Sequence, residues 1–301
     1  MAGFKFNCRK ISDDVGYPKT DSAALVSYQG ALWRIFGWTS ALQGVWKSTD
    51  NGLSWIQQPD FPGFVRDNAA VFVIGGLIYV CGGYGTDDLW SFDGTTWIQI
   101  SASLGLPSDM KYVPCKCTDG TYIYLIGGQD AIAEGVFNTS KQCYRLSITG
   151  VITFMGTIPS EIETVFSGAC WYKNGKIIIT NGGSQDGTLK NNKTIMSPDN
   201  GVTWSVIGTI PMSIVNIYET AWEWAGFLWM IPGNNADSLY YSGDEGVTWL
   251  RPPNIPIARH AANGISINDN YCIITGGHDG FIPTGEGSLL NDLWYLEKID
   301  L

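Results

Sequence analysis

Charged residues are scarce in this chain of 301 residues, making up 15% of it against about 25% in an average domain. Asp and Glu number 28 and Lys and Arg number 18, so the formal net charge is −10. Proteins that bind nucleic acids or anionic membranes need a clustered basic surface, because binding releases counterions from the phosphates. We therefore expect no nucleic-acid partner.

The chain also lacks any run of 18 to 20 apolar residues, which argues against insertion into a membrane. Its start has no basic segment followed by an apolar segment, so we expect no signal peptide and a cytoplasmic or virion location. The seven cysteines include no Cys-x-x-Cys pair, which disfavours a zinc or redox centre and fits reduced, packed thiols.

Glycine and aromatic residues are abundant instead, with 37 Gly, 12 Phe, 13 Trp and 14 Tyr. An apolar run that ends in a glycine pair recurs along the chain, and the first residue of each pair or degenerate pair falls at 37, 82, 127, 182, 232 and 276. Repeats of roughly 40 to 50 residues are typical of four-stranded propeller blades. The spacing predicts an all-β fold, a six-bladed β-propeller of antiparallel blades.

The repeats run from end to end and predict a single domain over residues 1–301. We place the blades near residues 20–60, 66–103, 112–158, 165–210, 218–253 and 259–301. Residues 4–11 alternate apolar and polar side chains, as a half-buried strand does. Because too few residues follow 296 for a fourth strand, we predict that residues 3–11 close the last blade. Deleting them should then destabilise the whole fold.

Two motifs resemble those of known propellers. In blade two an apolar strand, a double glycine and the spaced aromatics Trp90 and Trp97 resemble the kelch repeat. The pattern S-x-D-x-G-x-x-W at 48–55, 197–204 and 242–249 resembles the Asp-box (BNR repeat) of sialidases, and 91–97 is a shortened version. Asp bonds to turn backbone and Gly adopts positive φ, so we interpret these aspartates as turn builders.

The resemblance implies that ligands bind at one end of the blades, where the links between blades meet the loops after the second strands. We predict ligand-binding residues there, most of them basic or aromatic: Lys19, Arg66, Lys111, Tyr112, Arg259, His260 and His278. Lys19, Arg66, Lys111 and Arg259 would form a basic arc. The loops at 129–141, 184–193 and 278–290 are long and polar, which suits binding and also suits simple tolerance of insertions.

One interpretation of this arc is an enzyme acting on a carboxylated sugar, sialidase-like or sialic-acid-modifying. Basic side chains would hold the carboxylate, Glu163 or Glu219 would be the general acid or base, and Tyr218 a nucleophile. A sialidase, however, needs three arginines, and only Arg66 and Arg259 stand in suitable links. His260 and His278 with Asp279 or Glu286 are too unspecific to indicate a metal, so we predict no metal and no cofactor.

A fold of this kind hosts hydrolases, oxidases and adaptors, so the fold alone does not define the function. Our leading hypothesis is a non-enzymatic recognition module that binds a glycan or a protein partner through this loop face. A viral tail or receptor-binding component, an intracellular kelch adaptor and a place in a larger assembly all remain open. The sialidase-like enzyme is the alternative.

Overall fold

The structure, a computed structural model, describes residues 4–300 apart from 39–43, 65, 84, 131–137, 185–188, 212–219, 234–238, 254, 256 and 280–286. Its strands are short and antiparallel. The first five are β1 (Phe4–Ser12), β2 (Ala24–Tyr28), β3 (Ala31–Ile35), β4 (Val45–Ser48) and β5 (Ile56–Gln58). The next twelve are β6 (Ala70–Ile74), β7 (Leu77–Gly83), β8 (Thr86–Phe92), β9 (Trp97–Ser101), β10 (Cys115–Thr118), β11 (Tyr122–Ile126), β12 (Gln142–Ser147), β13 (Ile152–Thr157), β14 (Ala169–Lys173), β15 (Lys176–Thr180), β16 (Lys193–Ser197) and β17 (Ser205–Thr209). The last six are β18 (Thr220–Trp224), β19 (Phe227–Ile231), β20 (Tyr240–Ser242), β21 (Asn263–Ser266), β22 (Tyr271–Thr275) and β23 (Leu293–Asp300).

These strands form six separate sheets, and the fold is an all-β, six-bladed β-propeller with four-stranded antiparallel blades, as predicted. Blades one to four are β2–β5, β6–β9, β10–β13 and β14–β17. Blade five has the strands β18–β20, and a backbone bridge between Tyr241 and Leu250 stands where a fourth strand would pair. Within the described residues the one helical element is a 3-10 turn at Ser108–Met110, and no helix is long and apolar enough to cross a membrane.

Backbone contacts group the chain into two compact units. The first unit comprises Met1–Val65, Tyr218–Asp244 and Trp249–Leu301, and the second comprises Arg66–Ile217 and Glu245–Thr248. In both units the second strand of each blade is the most buried, because side chains on both of its faces pack against other side chains. Ile177, Ile178 and Ile179 of β15, for example, have no exposed surface.

The N-terminal strand completes blade six in the first unit, which confirms the predicted closure. Strand β1 pairs antiparallel with β23, from Phe4 opposite Asp300 to Ser12 opposite Leu293. The ring of Phe6 lies 4.6 Å from that of Trp229 and 5.6 Å from that of Trp224, centroid to centroid. This contact between β1 and the buried tryptophans of blade five supports the expectation that losing the strand destabilises more than its own sheet.

The aspartate turns have the hydrogen bonds expected of self-contained hairpins. In the first unit Asp50 Oδ1 accepts hydrogen bonds from Ser48 Oγ at 2.7 Å and from the Ser54 amide at 2.9 Å. In the second unit Asp199 Oδ1 accepts from Ser197 Oγ at 2.9 Å and from the Thr203 amide at 2.8 Å. Hydrogen bonds from Thr203 lower the pKa of Asp199, because they favour its ionised form. These contacts give both carboxylates a structural role.

The glycine pair of blade four lies one residue earlier than the sequence pattern predicted. In blade two the pair is Gly82 and Gly83, with φ of 58° and 102°. In blade four the residues with that geometry are Asn181 and Gly182, with φ of 65° and 119°. Asn is the residue that best tolerates a left-handed backbone after Gly. Asn181 and Gly182 are therefore the equivalents of Gly82 and Gly83, and Gly183 lies one residue beyond the pair.

Candidate functional site at the link ends of the blades

Each described link between blades ends in a residue with a left-handed backbone, which turns the chain into the first strand. These residues have φ between 42° and 57°, and they are Ser22, Asn68, Val113, Ser167 and Ala261. The residue just before it contacts the turn after the second strand, as in the backbone bridges Asp21–Trp38, Tyr112–Gln129 and His260–His278. The links and these turns therefore form one end of each blade, which we call the loop face.

Close packing at the loop face depends on the second glycine of each pair. A Cβ on Gly83 would lie 2.7 Å from the Asp67 carbonyl oxygen, and one on Gly277 would lie 2.6 Å from that of His260. Both contacts are too short for any side chain, and both glycines also have positive φ. The backbone of the loop face is therefore fixed by the repeat itself.

Arg66 and Arg259, two predicted ligand-binding residues, are buried in the same way in two different blades. Arg66 forms a two-pronged ion pair with Asp88, whose second oxygen lies 2.9 Å from Nη2. Arg259 does the same with Asp292, at 2.7 and 3.0 Å. Each guanidinium also donates to the carbonyl of the first glycine in its own blade, Gly82 at 3.0 Å and Gly276 at 2.8 Å.

A tryptophan completes each of these pairs from the same strand as its aspartate. The indole of Trp90 donates to Asp88 Oδ2 at 2.8 Å, and that of Trp294 donates to Asp292 Oδ2 at 2.7 Å. The repeated sequence Asp-Leu-Trp at 88–90 and 292–294 is the signal by which these partners could have been found. A substrate carboxylate would have to displace a buried, fully bonded aspartate to reach either arginine. Ligand contact by these two residues stays a prediction.

The predicted lysines have different surroundings. Lys19 is exposed in the link before β2. Lys111 Nζ lies 3.2 Å from Asp87 Oδ2, and its side chain is 30% exposed. Lys111 stands two residues before its left-handed residue, as Arg66 and Arg259 do, whereas Lys19 stands one residue further back. Of the four cations in the predicted arc, Lys19 and Lys111 are thus the ones with exposed surface.

The predicted aromatic and histidine residues are packed to different degrees. In the second unit, buried Tyr112 stacks on buried Phe166 with ring centroids 5.7 Å apart and planes 8° apart. In the first unit, buried His260 faces the half-buried His278 with ring centroids 5.0 Å apart. Over the described residues no group of three or more His, Cys, Asp or Glu side chains is arranged to hold a metal ion.

The acidic residues of the enzyme interpretation are only partly within the described residues. Glu163 is exposed, and its Oε2 accepts a hydrogen bond from the Lys190 amide at 3.3 Å. Tyr218 and Glu219 lie outside the described residues, as do 131–137, 185–188 and 280–286 of the long loops. The catalytic roles suggested for Glu163, Glu219 and Tyr218 stay predictions.

Two exposed aromatic residues at the loop end of blade one were not identified from the sequence. Trp38 is 59% exposed and Phe64 is 80% exposed. Trp38 follows Phe36 by two residues and Phe64 follows Phe61 by three, and the buried rings of Phe36 and Phe61 contact each other at 5.0 Å. Each exposed residue thus follows, in the sequence, one member of a packed aromatic pair. With so many aromatics in the chain, no sequence pattern separates these two from core residues.

No family model matches the chain. The chain is 37% identical over 131 residues to Kelch-like protein 23 of Pongo abelii and of Homo sapiens, and 32% identical to that of Mus musculus. These alignments cover 40% of this chain and 23% of each relative, so the chain matches less than a quarter of their length. The solved structure of YjhT superposes with a TM-score of 0.73 at 16% identity, over 93% of this chain and 95% of that one.

The fold is a six-bladed propeller, and part of the chain is similar to Kelch-like proteins. The similarity to YjhT shows the fold alone, because the identity is low. The arrangement of arginine, aspartate and tryptophan described above recurs in blades two and six. The bridging position after the second strand varies between blades and holds Trp38, Gln129 or His278.

Proposed function

We propose that this kelch-type propeller is a non-enzymatic recognition module that binds a protein partner through the loop end of blade one. The exposure of Trp38 and Phe64 is the observation that carries the proposal. Large aromatic side chains contribute much of the binding energy at protein interfaces, and exposed aromatic residues that lie at one end of a blade are candidates for such contacts. The similarity to Kelch-like proteins supports a protein partner over a sugar.

The backbone at Trp38 is hydrogen-bonded and closely packed, and a pre-formed backbone favours binding because little conformational entropy is lost. The Trp38 amide donates to the Asp21 carbonyl at 2.8 Å. Gly37 has a φ of 132°, and a Cβ there would lie 2.0 Å from Thr20 Oγ1. Phe36 has a φ of 64°, which is unfavourable for an aromatic residue and is maintained by its contact with Phe61.

The test compares wild type with Trp38→Ala and Phe64→Ala as immobilised baits. Proteins captured by wild type are identified by mass spectrometry, purified, and titrated against each variant by calorimetry. We expect each substitution to weaken binding by about tenfold or more, the effect of removing an interface aromatic. Ile98→Ala, at a residue 59% exposed on β9, is the matched control and should leave affinity unchanged.

Equal affinity of wild type and both variants for the purified partner would contradict the proposal. A glycan array and a fluorogenic sialoside assay run on the same protein separate the alternatives. Binding on the array without a protein partner would favour a glycan ligand, and turnover of the sialoside would favour the enzyme.

A further inference from the structure

Both histidines of the chain meet at the loop end of blade six, inside the first unit. His260 stands in the link before β21, and His278 stands in the turn after β22. The His260 amide donates to the His278 carbonyl at 3.0 Å, and the His278 amide donates to the His260 carbonyl at the same distance. Residues that exchange both backbone hydrogen bonds lie directly opposite each other and place their side chains on the same face.

The two imidazole rings have a geometry that one metal ion can join. Their centroids are 5.0 Å apart and their planes are inclined by 35°. A divalent metal ion about 2.0 to 2.1 Å from one nitrogen of each ring lies about 3.2 Å from each centroid. With about 90° to 110° between the two metal–nitrogen bonds, the centroids are then about 4.5 to 5.2 Å apart. The observed separation falls within this range, and inclined ring planes intersect, as they must when one ion lies in both.

We propose that His260 and His278 form a binding site for a divalent transition-metal ion, with one imidazole nitrogen of each ring as a ligand. Neutral imidazole is a preferred ligand of Zn²⁺, Ni²⁺ and Cu²⁺. Water fills the remaining coordination positions, because over the described residues no group of three or more His, Cys, Asp or Glu side chains is arranged around one ion. The sequence alone did not indicate this site, since the histidines stand 18 residues apart and only the backbone pairing brings them together.

The histidine pair is pre-formed and is open on one side. His278 makes a second backbone bridge to Leu289, so its backbone is fixed between two neighbouring segments. A pair held in place before the metal binds loses little conformational entropy on binding. His260 is buried and His278 is half-buried, so an ion reaches the rings from the solvent-facing side of His278.

The charges around the pair do not oppose a bound cation. Arg259 precedes His260, but its charge is neutralised by Asp292, whose oxygens lie 2.7 and 3.0 Å from the guanidinium nitrogens. Asp279 follows His278 and adds an exposed negative charge. Lys19, in the link before blade one, is exposed, so water and salt screen its charge.

The experiment titrates the untagged full chain, labelled with ¹⁵N in its histidines, with ZnCl₂ at neutral pH. Because the chain has two histidines, a long-range ¹H–¹⁵N NMR spectrum shows only two imidazoles. We expect the ring nitrogens of both to shift together and to saturate at one Zn²⁺ per chain. Shifts in neither ring, or in His278 alone, would overturn the proposal.

Two variants separate metal ligation from loss of the fold. His278→Gln removes one ligand at a half-buried position and should weaken Zn²⁺ binding by at least about tenfold, measured by calorimetry. It should also abolish the rise in melting temperature that Zn²⁺ gives the wild type. Asp279→Asn is the matched control and should bind Zn²⁺ as the wild type does, because adjacent side chains of an extended segment point to opposite faces.

Equal affinity of the wild type and His278→Gln for Zn²⁺ would contradict the site. So would a loss in Asp279→Asn as large as that in His278→Gln. These titrations contain no partner protein, so their outcome is independent of binding at Trp38.

Discussion

Arg66 and Lys111 occupy equivalent positions in the links before blades two and three. Each stands two residues before a residue with a left-handed backbone. Their carboxylate partners are Asp88 and Asp87, adjacent residues of β8 that point to opposite faces of the strand. Arg66 is fully buried and binds both oxygens of Asp88, whereas the Lys111 ammonium lies 3.2 Å from one oxygen of Asp87 and the Lys111 side chain is 30% exposed. One position in the repeat therefore holds a buried structural pair in blade two and a partly hydrated pair in blade three.

The difference between these two ion pairs shows that a basic residue in a link does not by itself indicate a binding site. An arginine at this position can donate hydrogen bonds to the glycine carbonyl and to both oxygens of a carboxylate. The single ammonium group of a lysine cannot make this set of bonds. Substitutions at Asp88, Asp87 and Lys111 test how far the two pairs differ.

The largest effect is expected for Asp88→Ala, which leaves Arg66 buried without its counterion. Losing one partner of a buried ion pair costs about 3 to 5 kcal/mol of unfolding free energy, measured by equilibrium urea denaturation. Asp292→Ala in blade six should cost a similar amount, because the contacts of Arg259 repeat those of Arg66. A loss below about 1 kcal/mol in both variants would show that these pairs do not stabilise the blades.

An intermediate effect is expected for Asp87→Ala, at the residue next to Asp88. Asp87 Oδ2 accepts hydrogen bonds from Ser103 Oγ and from the Gly105 amide, both at 3.0 Å, as well as facing Lys111. Losing these bonds should lower the unfolding free energy by about 1 to 2 kcal/mol in the same denaturation assay. A cost equal to that of Asp88→Ala would remove the distinction between the two faces of β8.

The smallest effect is expected for Lys111→Met, which removes the cation and keeps most of the side-chain volume. A partly exposed ion pair contributes about 0 to 1 kcal/mol, so the melting transition should barely move. The remaining hydrogen bonds satisfy Asp87 in this variant. A loss as large as that in Asp87→Ala would mean that the ammonium, and not the two hydrogen bonds, provides the stability.

Much of the fold could be predicted because each blade repeats the same short sequence pattern. The apolar runs and glycine turns recur at blade spacing, and the alternation in residues 4–11 identified the closing strand. The predicted position of the pair is one residue too late in blades one and four, where Phe36 and Asn181 take the left-handed position that Gly82 has in blade two. In blade four the adjacent glycines at 182–183 obscured this shift, because a sequence pattern shows where glycines stand and does not show the backbone angle φ.

The candidate site was harder to predict, since it depends on pairing across strands. The partners of Arg66 and Arg259 lie 22 and 33 residues away, so their burial followed only from the register of the blades. Exposure of Trp38 depends on where the turn after β3 points, which is a tertiary property.

The pairing of β1 with β23 links the first strand of the propeller in the chain to the last one. Asn7 and Glu297, which face each other in this sheet, are 290 residues apart in the chain. During synthesis on the ribosome Phe6 and its neighbours must wait unpaired until nearly every other blade has emerged. The nascent chain therefore exposes the apolar face of this strand while most of the propeller is translated, a period in which chaperone binding would protect it from aggregation.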